Sequence, residues 1–166
     1  MRRRTLMLGL GGIASGFACG DEDSFARWNR DRFAAAVRDM FDAPSTVEIF
    51  SIDPSDETSS EGNQFRGRTI IGTAFVAPWD VRQDLLNLIA RGVYASEGGA
   101  FVCFQPRHAL TIGKGRRSLD ILICYSCLQL FVYGGGDIGN KPLLTSSSVE
   151  PAVTAIFESH GLTIAA

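Results

Sequence analysis

Two long apolar runs dominate the second half of the chain, at residues 101–112 and 118–133, and a short Gly-Lys-Gly segment separates them. Both runs are rich in Phe, Val, Ile, Leu and Tyr, and the second is apolar on both of its alternating faces, as in a strand that is covered on both sides. The pattern predicts a β-hairpin with a three-residue turn at 114–116.

The remaining apolar residues predict three helices and two further strands. Positions that repeat every three or four residues predict helices at 24–41, 80–93 and 148–159, and alternating positions predict strands at 46–52 and 65–77. The order is helix, two strands, helix, two strands, helix. This order predicts an α+β fold in which helices pack on a mostly antiparallel sheet of about four strands, arranged as two hairpin-like pairs.

The N-terminus has the pattern of an export signal. Three arginines at 2–4 precede an apolar, glycine-rich stretch at 6–18, which ends at Cys19. Basic, apolar and small residues in this order are typical of a signal peptide, and the adjacent arginines resemble a twin-arginine signal. The residues before Cys19 resemble a lipoprotein cleavage box. We therefore expect residues 1–19 to direct export, and Cys19 to carry a lipid that anchors the protein to a membrane of the cell envelope.

The rest of the chain predicts one domain and no nucleic-acid partner. Residues 20–45 are expected to form a helix and a linker, and residues 46–166 a single α+β domain. The 166-residue chain is 20% charged and carries a net charge of −2. These values are ordinary for a globular protein. No basic patch of the kind that binds nucleic acid is present in the sequence.

The predicted hairpin contains a cluster of metal-ligand residue types. Three of the four cysteines and one of the two histidines fall in it, namely Cys103, His108, Cys124 and Cys127. Pairs of the form C-x4-H and C-x2-C suit a zinc site with three thiolates and one imidazole. On unbroken strands, however, Cys103 and Cys127 share one face, and His108 and Cys124 share the other. A zinc site therefore requires a bulge in each arm of the hairpin.

The number of cysteines favours zinc over a disulfide. If Cys19 is lipidated, three cysteines remain, and one disulfide would leave an unpaired thiol in an exported protein. Three thiolates and one imidazole instead complete a tetrahedral site. A zinc-bound His108 needs an acceptor on its other ring nitrogen, and Asp120 is the candidate.

Other interpretations of the cluster stay open. The predicted register places Cys103 opposite Cys127, so these two could form a cross-strand disulfide with Cys124 as a buried thiol. All three could instead be unlinked core residues, since free cysteine is often buried. A Cys124–Cys127 bond is not expected on a straight strand, because three residues span roughly 10 Å there. A nucleophilic pair of Cys124 and His108, oriented by Asp120, is a further hypothesis.

The hairpin also resembles a known group of sequences. It is similar to an uncharacterised family of small bacterial exported proteins and lipoproteins, over roughly residues 46–165 of this chain. The shared pattern is Cys-x-x-Pro-Arg-His followed by Asp-x-x-x-Cys-aromatic-x-Cys, matched by Cys103, Pro106, Arg107, His108, Asp120, Cys124, Tyr125 and Cys127. The resemblance implies that the hairpin is one unit, and it implies no particular activity.

The sequence predicts a place in the cell more firmly than a reaction. We expect an exported, lipid-anchored envelope protein whose Cys/His cluster holds zinc or a disulfide, with no enzymatic activity that the sequence demonstrates. The alternative is a thiol- or zinc-dependent enzyme that uses the same cluster. A catalytic zinc would keep one coordination position for water and so use three protein ligands instead of four.

Overall fold

A computed structural model describes residues 21–55, 63–99, 101–134 and 142–165. The predicted export signal and lipidation at Cys19 lie outside these residues. The elements are α1 (Asp21–Phe41), β1 (Thr46–Ile52), β2 (Gln64–Phe65), β3 (Arg68–Phe75), α2 (Trp79–Tyr94), β4 (His108–Lys114), β5 (Arg117–Cys124), β6 (Gln129–Tyr133), β7 (Leu143–Leu144), a 3₁₀ turn (Ser147–Val149) and α3 (Glu150–Ser159).

The strands form one antiparallel sheet in the order β2-β3-β1-β4-β5-β6-β7. The predicted α+β class is confirmed, but the prediction of about four strands is wrong, because the described residues form seven. The predicted strand at 65–77 is divided between β2 and β3. The predicted arm at 118–133 is two strands, β5 and β6, and the short β7 adds a further edge.

The two unpredicted turns differ in their chemistry. Arg66 and Gly67 both have positive φ, 53° and 81°, which is the conformation of a tight hairpin turn whose twist suits the strands on either side. Between β5 and β6, the positive φ of 55° belongs to Leu128. Leucine rarely adopts this conformation, and the sequence has no glycine or proline at 125–128 that would indicate a turn.

The helices cover one face of the sheet. Each contributes buried apolar side chains, such as Phe33, Leu85 and Phe157, to one core that also contains Ile49 and Leu110 of the central strands. We call this the covered face. Within the described residues, no helix is long and apolar enough to cross a membrane.

The opposite face of the sheet has a smaller apolar cluster, and we call it the open face. Its buried members are Phe50, Ile52, Phe65, Ala109 and Leu122, with Phe104 packed against them. The residues before β4, 101–107, form a loop without regular secondary structure.

The register of β4 and β5 decides which residues share a face. Lys114 pairs with Arg117 across a two-residue turn, and His108 pairs with Ile123. The predicted three-residue turn, with His108 opposite Leu122, is therefore wrong by one residue. Directly paired residues point to the same side of a sheet, and a slip of one residue reverses the faces. His108 thus lies on the covered face, and Cys124 lies on the open face.

Candidate functional site

Cys124 and Cys127 form a disulfide at the end of β5. The strand ends at Cys124, and the turn that follows brings the two Cα atoms to 5.2 Å. This separation is in the usual range for a bridge, roughly 4.4–6.8 Å. The expectation that this pair is too far apart is wrong, because it assumed a straight strand through residues 124–127. Each of the two cysteines is only 1% exposed.

The loop at 101–107 lies over this turn. The Phe101 N–H donates to the Cys127 carbonyl at 3.3 Å, and the Gln129 side-chain amide donates to the Phe101 carbonyl at 2.7 Å. Further along the loop, the Phe104 ring meets the Phe131 ring edge-on at 4.6 Å between centroids. These contacts fix the loop beside the disulfide while leaving its outer side in solvent.

Cys103 lies in that loop as an exposed free thiol. Its Sγ atom is 4.0 Å from Sγ of Cys127. The predicted Cys103–Cys127 disulfide is therefore wrong for this state of the protein, although the prediction that these two sulfurs are neighbours is right. The three cysteines form one cluster, in which a surface thiol touches a buried disulfide.

Hydrogen-bond donors surround one sulfur of the disulfide. The Cys127 backbone N–H donates to Sγ of Cys124 at 3.2 Å, and Oγ of Ser126 lies 3.4 Å from the same sulfur. The distance from Ser126 Oγ to Cys127 Sγ is longer, 3.9 Å. Behind the hydroxyl, Nη1 of Arg107 donates to Ser126 Oγ at 3.4 Å. The two sulfurs therefore have different surroundings.

His108 lies apart from this chemistry. It is 1% exposed, its Nε2 atom is 2.9 Å from the Thr154 hydroxyl, and its ring meets the edges of Tyr125 and Phe157 at 5.4 and 5.0 Å between centroids. Burial, and to a smaller extent the charge of Arg107, lowers the pKa of His108 from 6.5 to about 4. His108 is therefore a neutral core residue at neutral pH.

Asp120 does not orient His108, so the predicted contact between them is wrong. One carboxylate oxygen of Asp120 accepts from Thr111 at 2.7 Å, and the other accepts from Arg66 at 2.8 Å. These partners are on the open face, whereas the imidazole is on the covered face. The hypothesis of a Cys124 nucleophile activated by His108 fails for the same reason, and Cys124 is also bonded to Cys127.

The structure brings together three of the four predicted zinc ligands. Cys103, Cys124 and Cys127 meet on the open face, and the register places His108 on the other side of the sheet. Within the described residues, no group of three or more His, Cys, Asp or Glu side chains is arranged to hold a metal ion. Cysteines bind zinc only as reduced thiolates. Zinc binding by the reduced protein stays a prediction.

Sequence reasoning missed the two polar side chains beside the disulfide. Ser126 lies inside the C-x-x-C segment, and Arg107 immediately precedes His108. Only recognition of a turn at 125–128 could have indicated that Ser126 returns toward Cys124, and the sequence contains no glycine or proline there. Comparison of this chain with protein-family models, with curated proteins and with solved structures finds no match.

Proposed function

We propose that this protein is an exported, lipid-anchored protein of the cell envelope that performs thiol–disulfide exchange through its three-cysteine cluster. One observation carries the proposal: the exposed Cys103 thiol lies 4.0 Å from a sulfur of the buried Cys124–Cys127 disulfide. The proposed membrane location rests on the sequence of residues 1–19. A stable disulfide agrees with that location, because disulfides persist in oxidising compartments outside the cytosol.

Accessibility assigns the thiol its role. Cys124 and Cys127 are each 1% exposed, so a partner cannot reach either sulfur directly. Cys103 is exposed on one side and touches Cys127 on the other. Its sulfur is therefore the atom through which the buried disulfide can react with a molecule outside the protein.

The internal step is an exchange with no net redox change. Cys103 loses its proton to solvent, and its thiolate attacks Sγ of Cys127. A Cys103–Cys127 bond forms, the Cys124–Cys127 bond breaks, and Cys124 leaves with the electron pair and takes up a proton. The two sulfurs must approach from 4.0 Å to bonding distance, roughly 2.05 Å. The irregular backbone around Cys103 suits such a movement.

The external step transfers the disulfide to a partner. A thiolate of the partner attacks Cys103 in the new bond, which forms a mixed disulfide and releases Cys127 as a thiolate. A second partner thiol then attacks the mixed disulfide and releases Cys103. The partner is oxidised to a disulfide, and Cys124 and Cys127 are reduced. An external disulfide regenerates the cluster by the reverse sequence.

The test is the rate at which reduced glutathione opens the Cys124–Cys127 bond. Samples of wild type and Cys103→Ser are quenched with acid, alkylated after denaturation and mapped by mass spectrometry. We expect loss of Cys103 to slow the reaction by at least about tenfold, because an adjacent thiol attacks far more effectively than one from solution. Val102→Ser, a change at the exposed neighbour, is the control and should react like wild type. Equal rates for wild type and Cys103→Ser would overturn the proposal.

A further inference from the structure

We infer that Ser126 is a catalytic residue of this exchange: its hydroxyl stabilises Cys124 as the leaving thiolate, and the Arg107 guanidinium positions that hydroxyl. The inference rests on the proposed function and extends it by naming the groups that stabilise the leaving sulfur in the internal step. It predicts that attack by Cys103 on Cys127 releases Cys124 readily.

The direction of the hydrogen bond follows from the chemistry of the disulfide. Ser126 Oγ and Cys124 Sγ are 3.4 Å apart. A sulfur in a disulfide carries no hydrogen, so the hydroxyl must be the donor. The Cys127 N–H donates to the same sulfur at 3.2 Å. Cys124 Sγ therefore has two donors before any charge develops on it.

The other sulfur has a different role. Cys127 Sγ is farther from the hydroxyl, at 3.9 Å, and it is the sulfur that Cys103 touches. Exchange is faster when the departing thiol is the better stabilised anion. Hydrogen bonds to a charged group favour its charged form. The donors thus surround the sulfur that must leave, and the attacking thiol lies beside the sulfur that must be attacked.

Arg107 strengthens the donor without touching the disulfide. Its Nη1 atom donates to Ser126 Oγ at 3.4 Å, so the hydroxyl accepts from a cation and donates to Cys124. Hydrogen bonds in such a chain polarise one another. Arg107 also precedes His108 at the start of β4, and its carbonyl accepts from the Ile52 N–H at 3.1 Å. This backbone bond fixes the base of the side chain.

The experiment follows the internal exchange by itself. Protein held at pH 4, where thiolates are scarce, is moved to pH 8, quenched with acid at intervals, denatured and labelled with N-ethylmaleimide. Peptide mapping then shows which cysteine is free. In wild type, label should move from Cys103 to Cys124 until the two isomers reach equilibrium. In Ser126→Ala, we expect the rate of this movement to fall by about tenfold, the effect of losing one hydrogen bond to a charged group.

Further variants separate catalysis from folding. Ser126→Thr keeps the hydroxyl and should restore most of the rate, and Arg107→Gln should give an intermediate rate. In Ser126→Ala the free energy of unfolding should change by less than about 0.5 kcal/mol, because the residue is exposed.

Two negative results have different meanings. If label never reaches Cys124 in wild type, internal exchange does not occur, and the proposed function fails together with the inference. If label reaches Cys124 in wild type at the same rate as in Ser126→Ala, the exchange stands and the role of Ser126 is overturned. Failure of Ser126→Thr to recover the rate would also overturn that role.

Discussion

The polar side chains on the two faces of the β4–β5 hairpin are covered by different kinds of structure. On the covered face, His108 is enclosed between strands and α3, with Phe157 against its ring and the Thr154 hydroxyl on its Nε2 atom. On the open face, an irregular loop, and not a helix, lies beside the Cys124–Cys127 disulfide, and that loop contains the exposed thiol of Cys103. The two environments are separated by the thickness of one sheet.

Stability and reactivity therefore reside on different faces of this sheet. Packing by a helix fixes a side chain through many apolar contacts, whereas the loop at 101–107 is held by a few hydrogen bonds and one aromatic pair. Tyr125 links the two faces, because it follows Cys124, is itself only 3% exposed, and its ring meets His108. The covered face thus anchors the turn that presents the disulfide to the open face.

The largest effect is expected from loss of packing on the covered face. Phe157 is 0% exposed, and Phe75, on the open face, is 64% exposed. We expect Phe157→Ala to lower the free energy of unfolding by about 3–5 kcal/mol, because it leaves a large cavity in the core. The matched change Phe75→Ala should cost less than about 0.5 kcal/mol. Urea unfolding monitored by circular dichroism measures both, and similar losses would contradict the assignment of the core.

The second prediction concerns the pH dependence of stability that the buried imidazole of His108 causes. In the folded protein the His108 pKa is about 4, below its ordinary value of 6.5. Between these values the unfolded chain binds a proton that the folded protein does not, so stability falls as the pH decreases from about 6.5 to 4. A difference of about 2.5 in pKa corresponds to roughly 3 kcal/mol in total. The stabilisation is fully present above pH 6.5.

The measurement is the free energy of unfolding as a function of pH. In His108→Gln the part of the pH dependence between 6.5 and 4 should disappear, and in His160→Gln, the matched change at the other histidine, it should remain. Carboxylates titrate in both variants, so the difference between the two curves isolates the imidazole. Parallel curves would show that His108 titrates normally in the folded protein.

The sequence predicted the elements that have periodic patterns or recognised turn residues. Helices were expected at 24–41, 80–93 and 148–159, and the structure has α1, α2 and α3 within a few residues of these bounds. The β4–β5 hairpin was also expected, because glycines flank its turn. Apolar spacing and turn glycines are local signals, and they were sufficient for this part of the fold.

The site could not be predicted as well, for two physical reasons. A turn length that is wrong by one residue placed His108 and Cys124 on the same face, whereas they lie on opposite faces, since strand side chains alternate. The turn after Cys124 depends on Leu128 at φ 55°, a conformation that the tertiary structure imposes on a residue that does not favour it. Without that turn, the Cys124–Cys127 pair appeared too far apart to bond.

The third and smallest expected effect concerns the bond that this turn makes possible. A disulfide stabilises a protein mainly by restricting the unfolded chain, and the restriction grows with the length of the closed loop. The Cys124–Cys127 bond closes a loop of only four residues, with a sequence separation of 3. We expect it to contribute about 2 kcal/mol to the free energy of unfolding. This value is smaller than the contribution of Phe157 on the covered face.

The measurement compares the free energy of unfolding of oxidised and reduced Cys103→Ala. This variant cannot exchange its disulfide internally. Its two forms therefore differ only by the Cys124–Cys127 bond. Oxidised Cys103→Ala should itself match oxidised wild type within about 0.5 kcal/mol, because Cys103 is exposed. A loss above about 4 kcal/mol on reduction would mean that the bond stabilises parts of the fold beyond the turn that it closes. Each cycle of exchange would then destabilise the domain, which contradicts a reversible role for this disulfide. A loss near 2 kcal/mol leaves the covered face intact while the open face reacts.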